Sequence, residues 1–144
     1  MSPEEVISFL NEYFNEIIEV AVKYDGNIDK FIGDGMIVIF GIPFQTKDHA
    51  TKALMASIDM QEALSKINQK REQESKSPIR IGIGLHSGTV LAGNIGNKRK
   101  LQYTVIEDSV NVASRIENIN KQFSTTILFS EATYKRLFYL TRKC

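Results

Sequence analysis

Five consecutive apolar residues, Met36-Ile37-Val38-Ile39-Phe40, follow the tripeptide Gly33-Asp34-Gly35 and constrain the fold of this chain more than any other feature. The run is too short for a buried helix, is rich in β-branched side chains and does not alternate. It therefore reads as a central strand covered on both faces. Residues 28–32 lie on the other side of the Gly-Asp-Gly turn, so the two segments form a β-hairpin. Gly41 and Pro43 end the second strand.

Around this hairpin the pattern changes to helical spacing. Ser2 can cap a helix, Pro3 suits its first position, and Glu5 completes a capping box. Val6, Phe9, Leu10, Tyr13, Phe14, Ile17, Ile18 and Ala21 then share one face, and Asp25-Gly26-Asn27 ends the helix with turn chemistry. A second amphipathic helix is expected over residues 46 to about 70, with Ala50, Ala53, Leu54, Ile58 and Leu64 inward. The polar stretch 71–78 reads as a surface connection.

Ile79, Ile81, Ile83 and Leu85 alternate with Arg80, Gly82, Gly84 and His86, the period of a strand. A second hairpin is expected over 89–95 and 101–106. Asp108 can cap a helix running to about Lys121, 126–129 reads as a short strand, and Ser130 opens a last helix. Helices mixed with antiparallel hairpins give an α+β domain with helices on a sheet.

The 144 residues fit one domain with a real core. A net charge of +1, from 18 basic and 17 acidic side chains, gives no electrostatic reason to expect nucleic acid or an anionic membrane surface as partner. No stretch approaches the roughly 18 apolar residues that cross a bilayer. The single cysteine, Cys144, cannot staple the domain, which fits a reducing, cytoplasmic setting. A longer parent tethered to a membrane stays open.

Four features could carry chemistry. Asp34 at the hairpin tip offers an oxygen ligand for a hard cation, although Asp-Gly is also ordinary turn chemistry. Lys30 lies four residues earlier, on the same strand face if alternation holds, although most lysines are simply exposed. Asn111 and Arg115, spaced i,i+4, project together from one helix face; Arg suits phosphate, yet the pair equally describes a solvated face. Gly82, Gly84, Gly88, Gly93 and Gly96 match neither of the known phosphate-cradle spacings and read as close backbone approach and turns. His49 and His86 form no metal-spaced cluster, and no serine has nucleophile flanks.

Taken in order, KFIGDGMIVIFG, DHATKAL, IRIGIGLHSGTVLAGNIG, QYTVIEDSVNVASRIE and ILFSEATY resemble the class III adenylate and guanylate cyclase catalytic domain, from Met1 to about Leu137. The resemblance implies a ferredoxin-like sheet with helices and active sites formed between two domains head to tail. It implies that Asp34 is a metal ligand, that Lys30 and Thr104 recognise the base, and that Asn111 and Arg115 act on the reacting ribose and phosphate. Arg99 or Lys100 matches a basic residue near the triphosphate. Mg²⁺ or Mn²⁺, two ions in a complete site, and ATP as substrate are further implications.

The family's first strand, with its other metal aspartate, precedes the first helix, and a triphosphate lysine follows the last. The resemblance therefore implies a partial domain over residues 1–144, cut at both ends, whose isolated fragment is expected to be inactive. Glu107 stands where the family usually has glycine. The expected activity is an adenylate cyclase of signal transduction, a homodimeric lyase converting ATP to cyclic AMP and pyrophosphate. The alternatives are a non-catalytic dimerisation or regulatory module and a guanylate cyclase. Base choice favours ATP: Lys30 is donor-only and matches adenine N1, while the Thr104 hydroxyl can accept from the exocyclic amine.

Overall fold

The computed structural model describes residues 2–33, 35–42, 47–88, 92–95, 102–105 and 108–143, of which 92–95, 102–105, 108 and 138–143 are followed as backbone. The first helix, α1 (Pro3–Lys23), starts as its sequence demands. The Ser2 hydroxyl accepts from the Glu5 amide at 3.2 Å, and the Glu5 carboxylate accepts from the Ser2 amide at 2.7 Å. Asp25, at φ 63°, turns the chain out of it.

Strands β1 (Gly26–Ile32) and β2 (Gly35–Phe40) form the expected antiparallel hairpin, from Gly26 opposite Phe40 to Ile32 opposite Gly35. One residue interrupts the register. Ile28 faces Val38 and Lys30 faces Ile37, which leaves Asp29 as a β-bulge. Among the described residues β2 pairs with β1 alone, and it is half-buried along its whole length rather than covered on both faces. Met36, Val38 and Phe40 turn to the core; Ile37 and Ile39 are only partly covered.

Helix α2 (His49–Gln73) lies beside α1 over this hairpin. The core between them consists of Tyr13, Ile17 and Ala21 from α1 with Ala56, Met60 and Leu64 from α2. Burial of each large apolar side chain there contributes about 1.5–3 kcal/mol. The inward stripe of α2 differs from the expected one: Ala50 and Leu64 are buried, but Ile58 is 48% exposed. The buried line runs Ala56, Met60, Leu64, Ile67 and Arg71, with Ser57 beside it. Two polar residues belong to it because each has an internal acceptor. Ser57 Oγ donates to the Ala53 carbonyl at 2.8 Å, and Arg71 Nε donates to the Ser77 carbonyl at 2.8 Å while its guanidinium covers Phe9.

The helix also outlasts its expected end, since Lys70, Arg71, Glu72 and Gln73 are good helix formers whatever their polarity. Beyond it the alternating segment 79–85 is a strand only at β3 (Ile83–Leu85). Ile79 and Ile81 do pack on the core, but their backbone bonds go to side chains of α2. The Asn68 amide both donates to and accepts from the backbone of Ile79 at 2.8 Å, and Gln61 Nε2 donates to the Ile81 carbonyl at 3.2 Å. Side-chain amides replace a neighbouring strand, so the chain is extended without a ladder.

The rest comprises β4 (Ala92–Ile95), β5 (Gln102–Val105), α3 (Asp108–Phe123), β6 (Ile127–Phe129) and α4 (Glu131–Lys143). Three two-stranded ladders result among the described residues: β1 with β2, β4 with β5, both antiparallel, and β3 with β6, parallel. Helix α3 crosses over β3 and β6. The architecture is α+β, as the sequence predicts. Among the described residues no helix is long and apolar enough to cross a membrane.

Candidate functional site

Gly33 adopts φ 59° at the tip of the first hairpin, a left-handed conformation that a short turn between Ile32 and Gly35 requires. Asp34, the expected metal ligand, lies outside the described residues. Lys30 is on β1 near this tip, opposite Ile37, and its side chain is 49% exposed. The Lys30 Nζ lies 4.0 Å from Asp29 Oδ2, whose side chain is only 4% exposed.

Thr104 lies on β5, opposite Gly93 on β4. The fold brings β5 beside β1, with Cα atoms within 8 Å, so the strands bearing Lys30 and Thr104 are neighbours. Arg99, Lys100 and Glu107 lie outside the described residues, as does Gly96.

Asn111 and Arg115 lie on the first half of α3, and both are exposed. Their direction follows from how α3 seats. A Cβ on Gly84 would stand 2.4 Å from the Glu117 amide nitrogen and 2.5 Å from the Ala113 carbonyl oxygen, so the helix backbone rests directly on this glycine. Gly82 similarly faces Glu117 and Asn120, and Gly88 faces Ser109. These glycines therefore provide close approach, not a phosphate cradle. Arg115 is two residues from both Ala113 and Glu117, about 200° around the helix. Arg115, with Asn111 one turn before it, therefore lies on the side away from the sheet.

Polar bonds fix the far end of the same layer. Buried Asn120 donates to the Ile83 and Glu117 carbonyls at 3.1 Å and accepts from the Thr125 hydroxyl at 2.9 Å. His86 Nδ1 meets Ser130 Oγ at 2.8 Å, and Ser87 Oγ meets Thr133 Oγ1 at 2.8 Å, joining the exit of β3 to the start of α4. His86 thus has a structural partner.

Among the described residues no group of three or more His, Cys, Asp or Glu could hold a metal ion. In the sequence the hairpin turn carries Asp34, whose carboxylate has the oxygen chemistry that suits a hard divalent cation. A cleft of about 530 Å³ opens at the other end of the hairpin, lined by Tyr24, Asp25, Asn27, Phe40, His49 and Lys52. Burial lowers the pKa of His49, and the nearby Arg136 adds to that direction. Lys52 is held by Asp25 at 2.6 Å. This cleft is remote from Gly33.

Sequence reasoning missed Asp29 and Asn120. A one-residue bulge leaves little trace in an alternation pattern, and nothing in the local sequence distinguishes Asn120 from its solvated helical neighbours. The neighbour of Lys30 was the only available signal for Asp29.

The family model described as the adenylate and guanylate cyclase catalytic domain matches residues 1–143. Adenylate cyclase 1 of Rhizobium meliloti is 38% identical over 131 residues, 91% of this chain and 20% of that protein. The adenylate cyclase of Anabaena cylindrica is 38% identical over 141 residues, 95% of this chain and 27% of that protein. The chain thus spans between a fifth and about a quarter of these relatives. Among solved structures, the guanylyl cyclase Cya2 superposes with a TM-score of 0.83 at 37% identity, over 94% of this chain and 68% of that one. The adenylyl cyclase CyaB from P. aeruginosa also gives 0.83, at 32% identity, over 95% of this chain and 70% of that one.

Proposed function

Because the chain belongs to the family of adenylate and guanylate cyclase catalytic domains, we propose that it serves an adenylate cyclase, closing ATP to cyclic AMP with release of pyrophosphate. The observation that carries this reading is Lys30, an exposed donor-only side chain on a strand beside the one bearing Thr104. Its ammonium donates to adenine N1, and the Thr104 hydroxyl accepts from the exocyclic amine. Guanine presents the opposite polarity at both positions, and a mismatched buried polar pair is strongly rejected.

The ribose 3′-hydroxyl attacks the α-phosphorus while pyrophosphate leaves. Arg115 lies on the free face of α3 and stabilises the charge that grows on the α-phosphate oxygens; Asn111, one turn before it, orients the ribose. Arg99 or Lys100 neutralises the triphosphate. Asp34 would hold a divalent ion, Mg²⁺ or Mn²⁺; two such ions, when bound, would lower the pKa of the attacking hydroxyl and offset the developing charge. The active unit is a head-to-tail homodimer, with Lys30, Thr104, Asn111 and Arg115 from one copy and Asp34 from the other. Lys30, Asn111 and Arg115 are each exposed, which supports this arrangement.

The likeness to the guanylyl cyclase Cya2 favours a rival reading in which GTP is the substrate. Incubating the full-length gene product with Mn-ATP and Mn-GTP in parallel separates the two. The expected result is cyclic AMP as main product, and a loss of about 10²–10³-fold in kcat for Arg115→Ala. Predominant cyclic GMP would overturn the base assignment. Product from neither nucleotide would favour a non-catalytic dimerisation module.

A further inference from the structure

Adjacent residues of a regular strand point to opposite faces and cannot touch through their side chains. Asp29 and Lys30 break that rule because the register slips between them: Ile28 faces Val38, Lys30 faces Ile37, and Asp29 faces no residue of β2. The bulge brings the Asp29 carboxylate to 4.0 Å from the Lys30 ammonium. That distance is too long for a direct hydrogen bond but within reach of a charge pair.

The two partners sit in different surroundings. The Asp29 side chain is 4% exposed, whereas that of Lys30 is 49% exposed. Asp29 Oδ2 also has no hydrogen-bond donor among the described residues. A buried carboxylate oxygen without a donor is destabilising, so the folded chain alone gives no reason for one here. The Lys30 ammonium is the cation that answers it.

We infer that Asp29 is a positioning residue that holds the Lys30 ammonium in the direction from which it reads the purine base. This rests on the base-reading role proposed for Lys30. A lysine has four rotatable bonds, and a free one at a half-exposed position samples many directions. A fixed carboxylate beside its root narrows that set before the nucleotide arrives, which is preorganisation. The ammonium carries three donors, so it can face Asp29 and still donate to adenine N1. The bulge supplies the geometry, and neither charge needs to leave its strand.

The test is a double-mutant cycle in the full-length gene product, reading kcat/KM for ATP divided by that for GTP. This ratio does not depend on what fraction of the enzyme is folded. Asp29→Asn is expected to lower it about fivefold, the upper range for a partly screened ion pair, and to lower it no further in a Lys30→Met background. Asp29→Ser, smaller and also uncharged, should act in the same direction. Thermal melting serves as the second measurement: removing a charge whose buried Oδ2 has no donor among the described residues should leave Tm unchanged or raised.

If Lys30→Met lowers the ratio and Asp29→Asn does not, the inference fails while the base reading stands. An equal drop from Asp29→Asn with and without Lys30 overturns it as well, because Asp29 then acts independently. A lowered Tm with both nucleotides losing activity in equal proportion would mark Asp29 as purely structural. If neither variant moves the ratio, the base reading is wrong and the inference falls with it.

Discussion

The two halves of this domain are held together by different physics. In the first, α1, α2 and the β1–β2 hairpin share an apolar core of Tyr13, Ile17, Ala21, Ala56, Met60 and Leu64. In the second, β3, α3, β6 and the start of α4 meet through glycine contacts and buried polar bonds at Asn120, Ser87 and Thr133. Both halves leave large apolar side chains exposed, Ile7 and Phe31 in the first and Phe123 and Tyr134 in the second. An apolar core responds to change gradually, through cavities and repacking. A helix resting backbone to backbone on a strand has no slack. Lys30 belongs to the first half, Asn111 and Arg115 to the second, so the expected base-reading and phosphate-handling groups ride on supports of unlike stiffness.

The sharpest way to break this contrast is Gly84→Ala. The new methyl would overlap the backbone of Ala113 and Glu117, which cannot rotate aside. The expected cost is about 3 kcal/mol, at the upper end for overpacking, read as a lower midpoint in denaturant. Activity should fall with it, since displacing α3 moves Arg115. Gly88→Ala meets chiefly a side-chain atom, the Ser109 hydroxyl, rather than helix backbone, and should be milder. Equal effects from the two substitutions would show that α3 is not seated as described.

A smaller effect probes the seam between the halves, where α2 meets α4. His49, at the start of α2, has a folded pKa below its ordinary 6.5, first through burial and then through Arg136. The unfolded chain therefore binds a proton that the folded one resists. Stability contributed by neutral His49 is present above pH 6.5 and is lost as pH falls toward the folded pKa. His49→Gln should flatten that acid-side slope in thermal melts. A slope left intact would assign it to other groups.

Much of the fold was legible in the sequence. The Ser2-Pro3-Glu5 signature gave the start of α1, and the Gly-Asp-Gly turn gave the hairpin, because both are local devices that need no tertiary partner. Where tertiary partners decide, the reading went astray. Ile58 is exposed on α2, whereas Arg71 is buried because Phe9 and the Ser77 carbonyl offer it a site that hydrophobicity alone does not reveal. The extended segment ahead of β3 looked like strand because its alternation is real, yet Asn68 and Gln61 answer its backbone. Of the candidate site, the i,i+4 pair Asn111 and Arg115 could be read directly, as could the hairpin bearing Lys30. The bulge at Asp29 could not, since it depends on which residues of β2 find partners.

Exchanging Lys30 for glutamate tests the central claim most directly, because it inverts the polarity offered to the purine while leaving Asn111 and Arg115 untouched. Lys30→Glu in the full-length gene product is predicted to lose cyclic AMP formation and to gain in preference for GTP, measured as the two products formed from an equimolar ATP and GTP mixture. An unchanged preference for ATP in that mixture would contradict the account.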